Sequence, residues 1–413
     1  MTEPLTPTGH RAFKFRAVLT RDQERKAGEW LKLTRDLYNA ALQERRDAYR
    51  KKKETRSAYT QQKDLKTIRV DLPEYQKLPT RLLQEPLQRL DLAFQSFFRR
   101  VKSGQTPGYP RFRSAKRWDS LVWADPVGCR LESSKVVLSK FGGIKIIQWT
   151  DPSDGSRLLR VALKREADGW YVVLTYEIPK PKSLPSTGKT VGIDLGLKSL
   201  VAFSDGTLIP HPKWSRKANR KIVQQQRRVS RRIKGSNRRR KAVHAFAKTH
   251  QHVARKRKYF LDCLSRKLVN ENDVIAVEKL NVRGISRGMG SNSQGRGFRR
   301  SVLDASWGQL IWMLSYKAES AGRKFVQVDP AYSSQTCPSC GTIKRKELSE
   351  RVHSCDCGYV ADRDVAAAQV ILQRALEVLR CPIFPLNREG RAGMGSSVPL
   401  SRESCLGTGT YGS

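Results

Sequence analysis

The sequence predicts an α+β protein with more than one domain, and three observations support that prediction. The 413-residue chain exceeds the size at which a single hydrophobic core stops growing. Residues 21–102 carry long stretches of helical periodicity, whereas residues 119–179 carry short β-branched and aromatic runs. Beyond a Pro- and Lys-rich break, predicted strands and helices alternate.

The N-terminal elements are a strand and two long helical stretches. RAFKFRAVL, residues 11–19, alternates basic and apolar positions as a half-buried strand does. Apolar residues then recur at helical spacing over residues 22–53 and again over residues 80–101. Pro86 could open the second helix or kink it, and the pattern leaves both possibilities open. We therefore predict an all-helical module over residues 21–102.

A β-rich segment follows a Gly-, Pro- and aromatic-rich break at residues 103–118. Runs such as VVLSKFGGIKIIQW and GWYVVLTYEIP, separated by turn signals, suit a small β-barrel or sandwich that the first strand would complete. We assign residues 1–20 and 103–182 to this β-domain. PKPKSLPSTGK, residues 179–189, marks its end.

The next domain is predicted over residues 183–380. TVGIDLGLKSLVAFSDGTLI contains two short strands joined at Gly196 and a second turn at Asp205 and Gly206, a pattern typical of a ribonuclease-H-like sheet. VIAVEKL and KFVQVDP are further predicted strands, and DASWGQLIWMLSYKAESAG is a predicted amphipathic helix. Residues 381–413 lack apolar periodicity and are predicted to be disordered.

The charge balance indicates a polyanionic partner. The chain has 80 Lys and Arg residues against 38 Asp and Glu, a net charge of +42, so it would repel itself unless RNA or DNA neutralised it. No apolar run approaches the roughly 18 to 20 residues of a spanning helix, and the N-terminus lacks the apolar core of a secretory signal. We expect a soluble, intracellular protein with no membrane partner.

The densest positive charge lies in residues 206–261, which contain 19 Lys and Arg and no Asp or Glu. Helical spacing of the apolar residues, broken at residues 235–237, predicts a basic helical hairpin. Charge runs usually form solvated faces, but an acid-free run of this length favours nucleic-acid contact. The candidate contacts in this hairpin are Arg227, Arg228, Arg231, Arg232, Arg238, Arg239 and Arg240.

Two other segments have open interpretations. YPRFR, which contains Arg111 and Arg113, and the nearby Trp118 and Trp123 combine aromatic with basic residues, so they could stack on bases or form the core of the β-domain. Base contact is slightly favoured. The Gly-rich, basic residues 283–301 would be either a disordered linker or a mobile lid beside the site.

Three acids lie at the ends of apolar segments: Asp194 in VGIDLG, Glu278 in VIAVEKL and Asp364 in ADRDVAAAQVIL. Each alone has an ordinary explanation as a strand-end acid, an ion-pair partner or a helix cap, and Asp362 competes with Asp364 for its role. Together they supply the oxygen ligands that a pair of Mg²⁺ ions needs for phosphodiester hydrolysis. The pattern predicts a metal-dependent nuclease. No Ser-His-Asp or Cys-His arrangement stands out among the 6 histidines, so nucleophilic covalent catalysis is not expected.

Four of the 8 cysteines predict a structural zinc site. CPSCG supplies Cys337 and Cys340, and CDCG supplies Cys355 and Cys357, in two glycine-containing knuckles. The second pair is one residue shorter than C-x-x-C, so His353 could replace one thiol. The clustering indicates metal binding and not a disulfide framework, and we predict a zinc ribbon over residues 331–361.

The order VGIDLG, VEKL, SSQTCPSCG, CG and DRDVAAAQVIL resembles that of the transposon-associated TnpB family, compact relatives of the type V CRISPR effectors. FKFRAVLTRDQ, LYNAAL, FQSFFRRVK and GYPRFR resemble the opening of the same family, so the resemblance covers nearly the whole chain. It implies a wedge-type β-barrel with an inserted helical recognition module, followed by a RuvC-like nuclease domain that carries the zinc ribbon.

The resemblance further implies an RNA-guided DNA endonuclease whose catalytic acids are Asp194, Glu278 and Asp364. The guide would be an RNA of the same element, bound by one copy of the protein. The protein would read a short motif beside the double-stranded target, and one RuvC-like site would cut both strands in turn. The helical module would face that motif, and its candidate contacts are Tyr59, Gln61 and Gln84.

Two positions depart from the family pattern, since many members have Asn where this chain has Ala366 and Val370. Support around the third acid is therefore expected to differ. Three other functions stay open: a nuclease-inactive, guide-directed DNA-binding repressor, a DNA-strand-transfer transposase, and an RNA-binding protein whose acids are structural. The three retained acids favour an active nuclease over the repressor, and the zinc ribbon just before Asp364 disfavours the transposase.

Overall fold

The computed structural model of the chain describes residues 8–124, 126–132, 134–147, 155–179, 181–287, 292–347 and 350–380. The tail that the sequence predicts to be disordered, residues 381–413, lies outside these ranges. Two large β-sheets organise the described residues, one of seven strands before the Pro- and Lys-rich segment and one of five strands after it. No helix in the ranges given above is long and apolar enough to cross a membrane.

The first sheet is antiparallel, and its strands are β1 (Thr8–Val18), β2 (Ser120–Trp123), β3 (Cys129–Glu132), β4 (Lys135–Leu138), β5 (Gly142–Ile147), β6 (Arg157–Glu166) and β7 (Gly169–Pro179). Their order is β2–β6–β7–β1–β5–β4–β3, so the N-terminal strand lies in the middle of the sheet and joins the later strands, as predicted. The order is linear, and no ladder joins β2 to β3 among the residues described. Closure into a barrel therefore stays a prediction.

The helical module consists of α1 (Arg21–Lys52), α2 (Ala58–Lys63), α3 (Leu65–Asp71) and α4 (Thr80–Lys102), with a 3-10 turn at Pro73–Lys77. Thr20 begins α1 with a capping box, in which its hydroxyl accepts the N–H of Gln23 and the Gln23 side chain accepts the N–H of Thr20. Pro86 lies inside α4 and is buried, so it does not open that helix. Helices α1 and α4 pack on each other and on β2.

Two tryptophans join the helical module to the first sheet. Trp118 and Trp123 are only 2% and 1% exposed and belong to the core that the helices and the sheet share. The indole N–H of Trp118 donates to the hydroxyl of Thr34 at 2.9 Å, and the rings of Trp123 and Trp30 lie 6.5 Å apart. The expectation that Trp118 and Trp123 stack on bases is therefore wrong, because both rings are enclosed by the protein.

The second sheet consists of β8 (Thr190–Asp194), β9 (Ser199–Phe203), β10 (Leu208–Pro210), β11 (Val274–Glu278) and β12 (Lys324–Val328). Its order is β10–β9–β8–β11–β12, in which β9 is antiparallel to β8 and β10, whereas β11 is parallel to β8 and β12. The two predicted turns join β8 to β9 and β9 to β10. Because β11 lies beside β8 and runs parallel to it, the C-terminal ends of these two strands, which are distant in sequence, lie next to each other.

One face of the second sheet is covered by α10 (Arg363–Arg380), which packs on β8 and β11. The contact with β8 is very close, because a Cβ at Gly192 would lie 2.0 Å from the carbonyl oxygen of Ala368. Only glycine fits at this position. The N-terminus of α10 is therefore held at the edge of the sheet where β8 ends.

The remaining helices are α5 (Trp214–Ser230), α6 (Asn237–Glu271), α7 (Val282–Arg287), α8 (Ser293–Ala305) and α9 (Trp307–Ser320). The predicted basic hairpin is formed by α5 and α6, with its turn at residues 231–236. The Gly-rich residues 283–301 are helical in their described parts, and Ile285 and Phe298 pack against the core of the second sheet. The expectation of a disordered linker is therefore wrong for these parts.

Candidate active site, cysteine cluster and basic hairpin

Parallel strands bring two of the three predicted acids to one edge of the second sheet. Asp194 is the last residue of β8, and Glu278 is the last residue of β11. The two strands are parallel neighbours, and Ile193 pairs with Val277. Each of these two residues directly precedes one of the acids. Both carboxylates therefore leave the sheet at the same edge, since parallel strands end together.

The third acid is supplied by the first turn of α10. The backbone N–H of Asp364 donates to the Asp362 carboxylate at 2.9 Å. Asp362 is therefore the N-terminal cap of α10, and the Asp364 carboxylate is not needed for that purpose. The Asp364 carboxylate is half-buried and lies near the β8–β9 turn, where a Cβ at Gly196 would be 3.7 Å from its Oδ2. Asp364 therefore reaches the edge at which Asp194 and Glu278 leave the sheet.

Burial and mutual repulsion dominate the electrostatics of this edge. Burial and, after it, the neighbouring carboxylates of Glu278 and Asp364 raise the pKa of Asp194 to about 8, although the N–H of Leu195 and the charge of Arg363 lower it. Burial also raises the pKa of Glu278, against a hydrogen bond from Ser333. The structure thus brings the three predicted acids together, in a position where their negative charges oppose one another.

Two residues beside Glu278 were not singled out by the sequence. Ser333 is buried and its hydroxyl donates to Oε1 of Glu278. The positive charge of Arg374, on α10, also lowers the pKa of Glu278. Ser333 lies within the SSQTCPSCG motif, but its pairing with a residue 55 positions earlier has no local signature.

The four predicted cysteines form one cluster. The Sγ atoms of Cys337, Cys340, Cys355 and Cys357 all lie within 4.8 Å of one another, and two short strands, β13 (Val352–Ser354) and β14 (Val360–Asp362), support the second knuckle. His353 is not part of the cluster; its buried ring contacts the Lys346 ammonium group. Four thiols are the number that a tetrahedral zinc site needs, so the histidine is not required as a ligand.

One thiol of the cluster is prepared for metal binding. Hydrogen bonding with the side chain and the backbone of Thr342 lowers the pKa of the Cys340 thiol to about 6. The pKa of the partner thiol, Cys355, is raised, so Cys340 is the thiol of this pair that ionises first and offers a thiolate to a metal.

The basic hairpin presents its arginines to solvent. No residue of α5 is buried, and Ile233 in the turn is 81% exposed, so the tip of the hairpin has no core of its own. Arg239 differs from its neighbours, because its guanidinium donates to the carbonyl oxygens of Val229 at 2.7 Å and Arg232 at 2.9 Å. It caps the end of α5. The exposed members of the predicted set are Arg227, Arg228, Arg231, Arg232, Arg238 and Arg240.

The candidate contacts in the helical module lie in different environments. Tyr59 is 66% exposed, with the Lys63 ammonium 4.6 Å from its ring centre, and Gln84 is half-buried beside Arg81. Gln61 is only 2% exposed, and its side chain bonds to Arg45, to Glu44 and to the backbone of Ala41. This placement assigns Gln61 to packing within the module and removes it from the accessible surface.

The two arginines of the YPRFR segment also differ. Arg111 is exposed. Arg113 is half-buried, its backbone is paired with the Asn39 amide at 2.8 and 3.0 Å, and its guanidinium lies 5.8 Å from the Tyr38 ring centre. Arg111 is therefore the more accessible of the two.

Three family models match the chain. OrfB_IS605, described as a probable transposase, matches residues 173–288, and the Cas12f1-like TNB domain matches residues 307–371. The helix-turn-helix domain of OrfB_IS605 matches residues 9–54. In this chain residues 9–54 form β1 and the single long helix α1, so the description of that third model does not fit the structure seen here.

Relatives of the chain span most of its length. It is 33% identical over 398 residues to a Streptomyces pristinaespiralis protein named "Putative RNA-guided DNA endonuclease", covering 94% of this chain and 95% of that protein. It is 29% identical over 314 residues to the Escherichia coli K12 protein "Putative RNA-guided DNA endonuclease InsQ", covering 73% of this chain and 76% of that protein.

A solved structure shares the fold. The protein chain in a cryo-EM structure of a Cas12f1–sgRNA–target DNA complex superimposes with a TM-score of 0.56 at 14% identity, covering 86% of this chain and 83% of that chain. At this identity the similarity shows a common fold and nothing more.

Proposed function

The chain belongs to the transposon-associated TnpB (IS605 OrfB) family, and we propose that it is an RNA-guided DNA endonuclease that hydrolyses phosphodiester bonds in a single RuvC-like site. The observation that carries this proposal is the convergence of Asp194, Glu278 and Asp364 at one edge of the second sheet. The names of the two relatives support the substrate and the dependence on a guide.

The three acids fit a pair of Mg²⁺ ions. Carboxylates that oppose one another in a half-buried place need a compensating cation, and hard ions prefer oxygen ligands. A pair of ions would share the three carboxylates as oxygen ligands. When bound, Mg²⁺ ions activate the attacking water and stabilise the leaving 3′ oxygen.

The cysteine cluster would hold one Zn²⁺ ion with a structural role. Four thiols fill a tetrahedral shell and leave no open position for a substrate or water. We place this zinc ribbon at residues 331–361, inside a RuvC-like domain of residues 183–380. Its second strand, β14, ends at Asp362, so the ribbon leads directly into the turn that presents Asp364.

The basic hairpin is the proposed site for the guide RNA, which would come from the same element. Its exposed arginines and the absence of acids suit a phosphate backbone. The helical module of residues 21–102 and the wedge-type β-domain of residues 1–20 and 103–182 would face the target, a double-stranded DNA bearing a short adjacent motif. Tyr59, Gln84, Arg111 and Arg113 remain candidates for contact. We expect one protein chain on each RNA.

The two departures from the family pattern do not remove a metal ligand. Ala366 and Val370 are 1% and 2% exposed and lie on the buried face of α10. They contribute to the packing of the helix that carries Asp364. We therefore propose an active nuclease in preference to a nuclease-inactive repressor.

The test compares conservative variants of neighbouring acids in the ribonucleoprotein. Asp194→Asn, Glu278→Gln and Asp364→Asn are expected to abolish DNA cutting while guide-RNA binding stays at the wild-type level. Asp362→Asn is the matched control, because asparagine keeps the helix cap, and it should still cut. Parallel loss of RNA binding in the three acid variants would instead give these acids a folding role.

A further inference from the structure

We propose that Ser333 is a positioning residue for the cleavage reaction, because its hydroxyl fixes one oxygen of Glu278 and thereby orients the carboxylate for metal binding. This inference rests on the proposed function and names a residue outside the three acids. It arises from a contact between the end of β11 and the segment that follows β12.

The contact is enclosed and polar. Glu278 is 8% exposed and Ser333 is 5% exposed, so little water competes for their hydrogen bond. The Ser333 hydroxyl has one hydrogen and two acceptors within reach, Oε1 of Glu278 and the carbonyl oxygen of Pro330 at 3.2 Å. The carboxylate is the closer and the more negative acceptor, so the hydrogen is donated to Glu278.

The backbone around Ser333 is held firmly in place. In the parallel pair of β11 and β12, Glu278 lies opposite Val328, so the chain leaves β12 beside the acid. Asp329 then closes a turn by accepting the N–H of Ala331 at 3.0 Å. Tyr332 has a φ of 59°, a left-handed conformation that a side chain of this size adopts at a cost. Such a conformation persists only where surrounding contacts enforce it.

The enforcing contact comes from the helix that carries Asp364. Arg374 on α10 donates to the carbonyl oxygens of Asp329 at 2.9 Å and Ala331 at 2.8 Å. The turn that presents Ser333 is thus fastened to α10, whose first turn contains Asp364. Through this turn, Ser333 links the position of Glu278 at the end of β11 to that of Asp364 at the start of α10.

This arrangement matters because Glu278 has a longer side chain than the two aspartates. A glutamate side chain can adopt many rotamers, and fixing one of them when a metal binds costs conformational entropy. A hydroxyl that holds Oε1 leaves Oε2 free and restricts the carboxylate to few orientations. Hydrogen-bond partners of metal ligands typically change metal affinity or activity by about 10- to 100-fold when they are removed.

The experiment uses the zinc-loaded ribonucleoprotein with three variants: Ser333→Ala, Ser333→Thr and Ser334→Ala. Ser334 is the matched control, because it is the neighbouring serine of the same turn and is exposed. Mn²⁺ binding is measured without DNA by electron paramagnetic resonance, and the Mg²⁺ concentration for half-maximal cutting is measured separately. Zinc content and thermal melting establish that each variant is folded.

Ser333→Ala is expected to weaken Mn²⁺ binding and to raise the Mg²⁺ requirement by about 10-fold or more. Ser333→Thr, which keeps the hydroxyl, should restore most of both, and Ser334→Ala should match the wild type. Unchanged Mn²⁺ affinity in Ser333→Ala would overturn the proposal, as would an equal loss in Ser334→Ala. A wild-type protein that binds Mn²⁺ but cuts no DNA would overturn the proposed nuclease, while the Mn²⁺ affinities would still decide the role of Ser333.

Discussion

Asp194 lies in a position that destabilises the folded protein when its carboxylate is ionised, although the proposed chemistry requires the ionised form. Its carboxylate ends a strand whose preceding residue is fully buried, and burial together with two further carboxylates raises its pKa to about 8. A group held in this way costs stability whenever it is ionised without a counter-ion. A divalent cation would convert the same arrangement into a binding site.

A stability measurement can detect this conflict. The pKa of Asp194 is about 8 in the folded protein and near the ordinary aspartate value of about 4 in the unfolded chain. Below pH 4 both states carry the proton, so the group costs nothing. As the pH rises toward 8 the unfolded chain ionises first, and the folded state loses stability.

We therefore predict that Asp194→Asn raises the melting temperature of the metal-free protein at pH 8 and changes it little at pH 4. The difference between variant and wild type is the quantity to follow by calorimetry, because it cancels the titration of other groups. Added Mg²⁺ should stabilise the wild type and reverse the order at pH 8. A constant difference across the pH range would show that Asp194 has an ordinary pKa.

The residues that the sequence singled out, and that the structure brings together, have a local signal. The acids and the cysteines stand out because each interrupts an apolar segment or forms a tight knuckle, and the structure brings both sets together. Gln61, Trp118 and Trp123 were misplaced because exposure depends on packing between distant segments. Ser333 was missed for the same reason.

Among the elements, the cysteine cluster adjoins the candidate site at both of its ends. The turn with Ser333 precedes its first knuckle, and Asp362, the cap of α10, follows its second. The chain segments before and after the cluster thus each contain a residue that orients a proposed catalytic acid. Loss of the proposed zinc ion would therefore loosen the segments on both sides of the cluster.

Replacing Cys337 and Cys340 with Ser should release zinc and lower the free energy of unfolding by about 4 kcal/mol or more, as loss of a structural metal does. Zinc content by mass spectrometry and thermal melting check this expectation. Cys263→Ser is the control, since Cys263 is an exposed free cysteine outside the cluster. Zinc retained in the double variant would refute the assignment of the ribbon.

The basic hairpin permits an equally specific test. Neutralising Arg231, Arg232, Arg238 and Arg240 with Gln should weaken guide-RNA binding and flatten its dependence on log salt concentration by up to about 3, at about 0.7 for each lost phosphate contact. Filter binding at several salt concentrations measures the slope. An unchanged slope would place the RNA elsewhere.

Arg239→Gln is the matched control for the hairpin. Because Arg239 caps the carbonyl groups at the end of α5, its loss should reduce helix content near the turn and leave the salt slope nearly unchanged. A slope change as large as that of a neighbouring exposed arginine would show that Arg239 contacts phosphate as well.

Element positions were largely predictable, whereas their packing was not. The strand predicted at residues 11–19 and the helices predicted at residues 22–53 and 80–101 occur within a few residues of these bounds. Long segments with a regular apolar period are the ones that a sequence indicates most clearly. The helix α8 was missed because its glycines lower helical propensity, and burial of Val302 compensates for that. Closure of the first sheet depends on strand pairing that no local pattern specifies.

At the scale of the whole molecule, the hairpin is fastened to the first sheet at its base. Arg255 on α6 donates to Asp168 at 2.7 Å and to Glu166 at 2.8 Å, and both acids flank the β6–β7 turn. Burial alone would raise the pKa of Asp168, but hydrogen bonds from Arg255, Tyr171 and Gln251 hold it well below its usual range. The base of the hairpin is thus anchored, while its tip has no buried residue.

If these parts act together as an RNA-guided nuclease, the protein should copurify with its guide RNA and cut DNA that matches it. The protein is co-expressed with its native flanking locus, the RNA that copurifies is sequenced, and the complex is incubated with Mg²⁺ and a DNA library that matches the RNA and has randomised flanks. We predict a discrete RNA from the same element and cutting beside one short flanking motif, lost in Asp194→Asn. A discrete RNA with no cutting, or cutting that persists in Asp194→Asn, would contradict the proposed nuclease function.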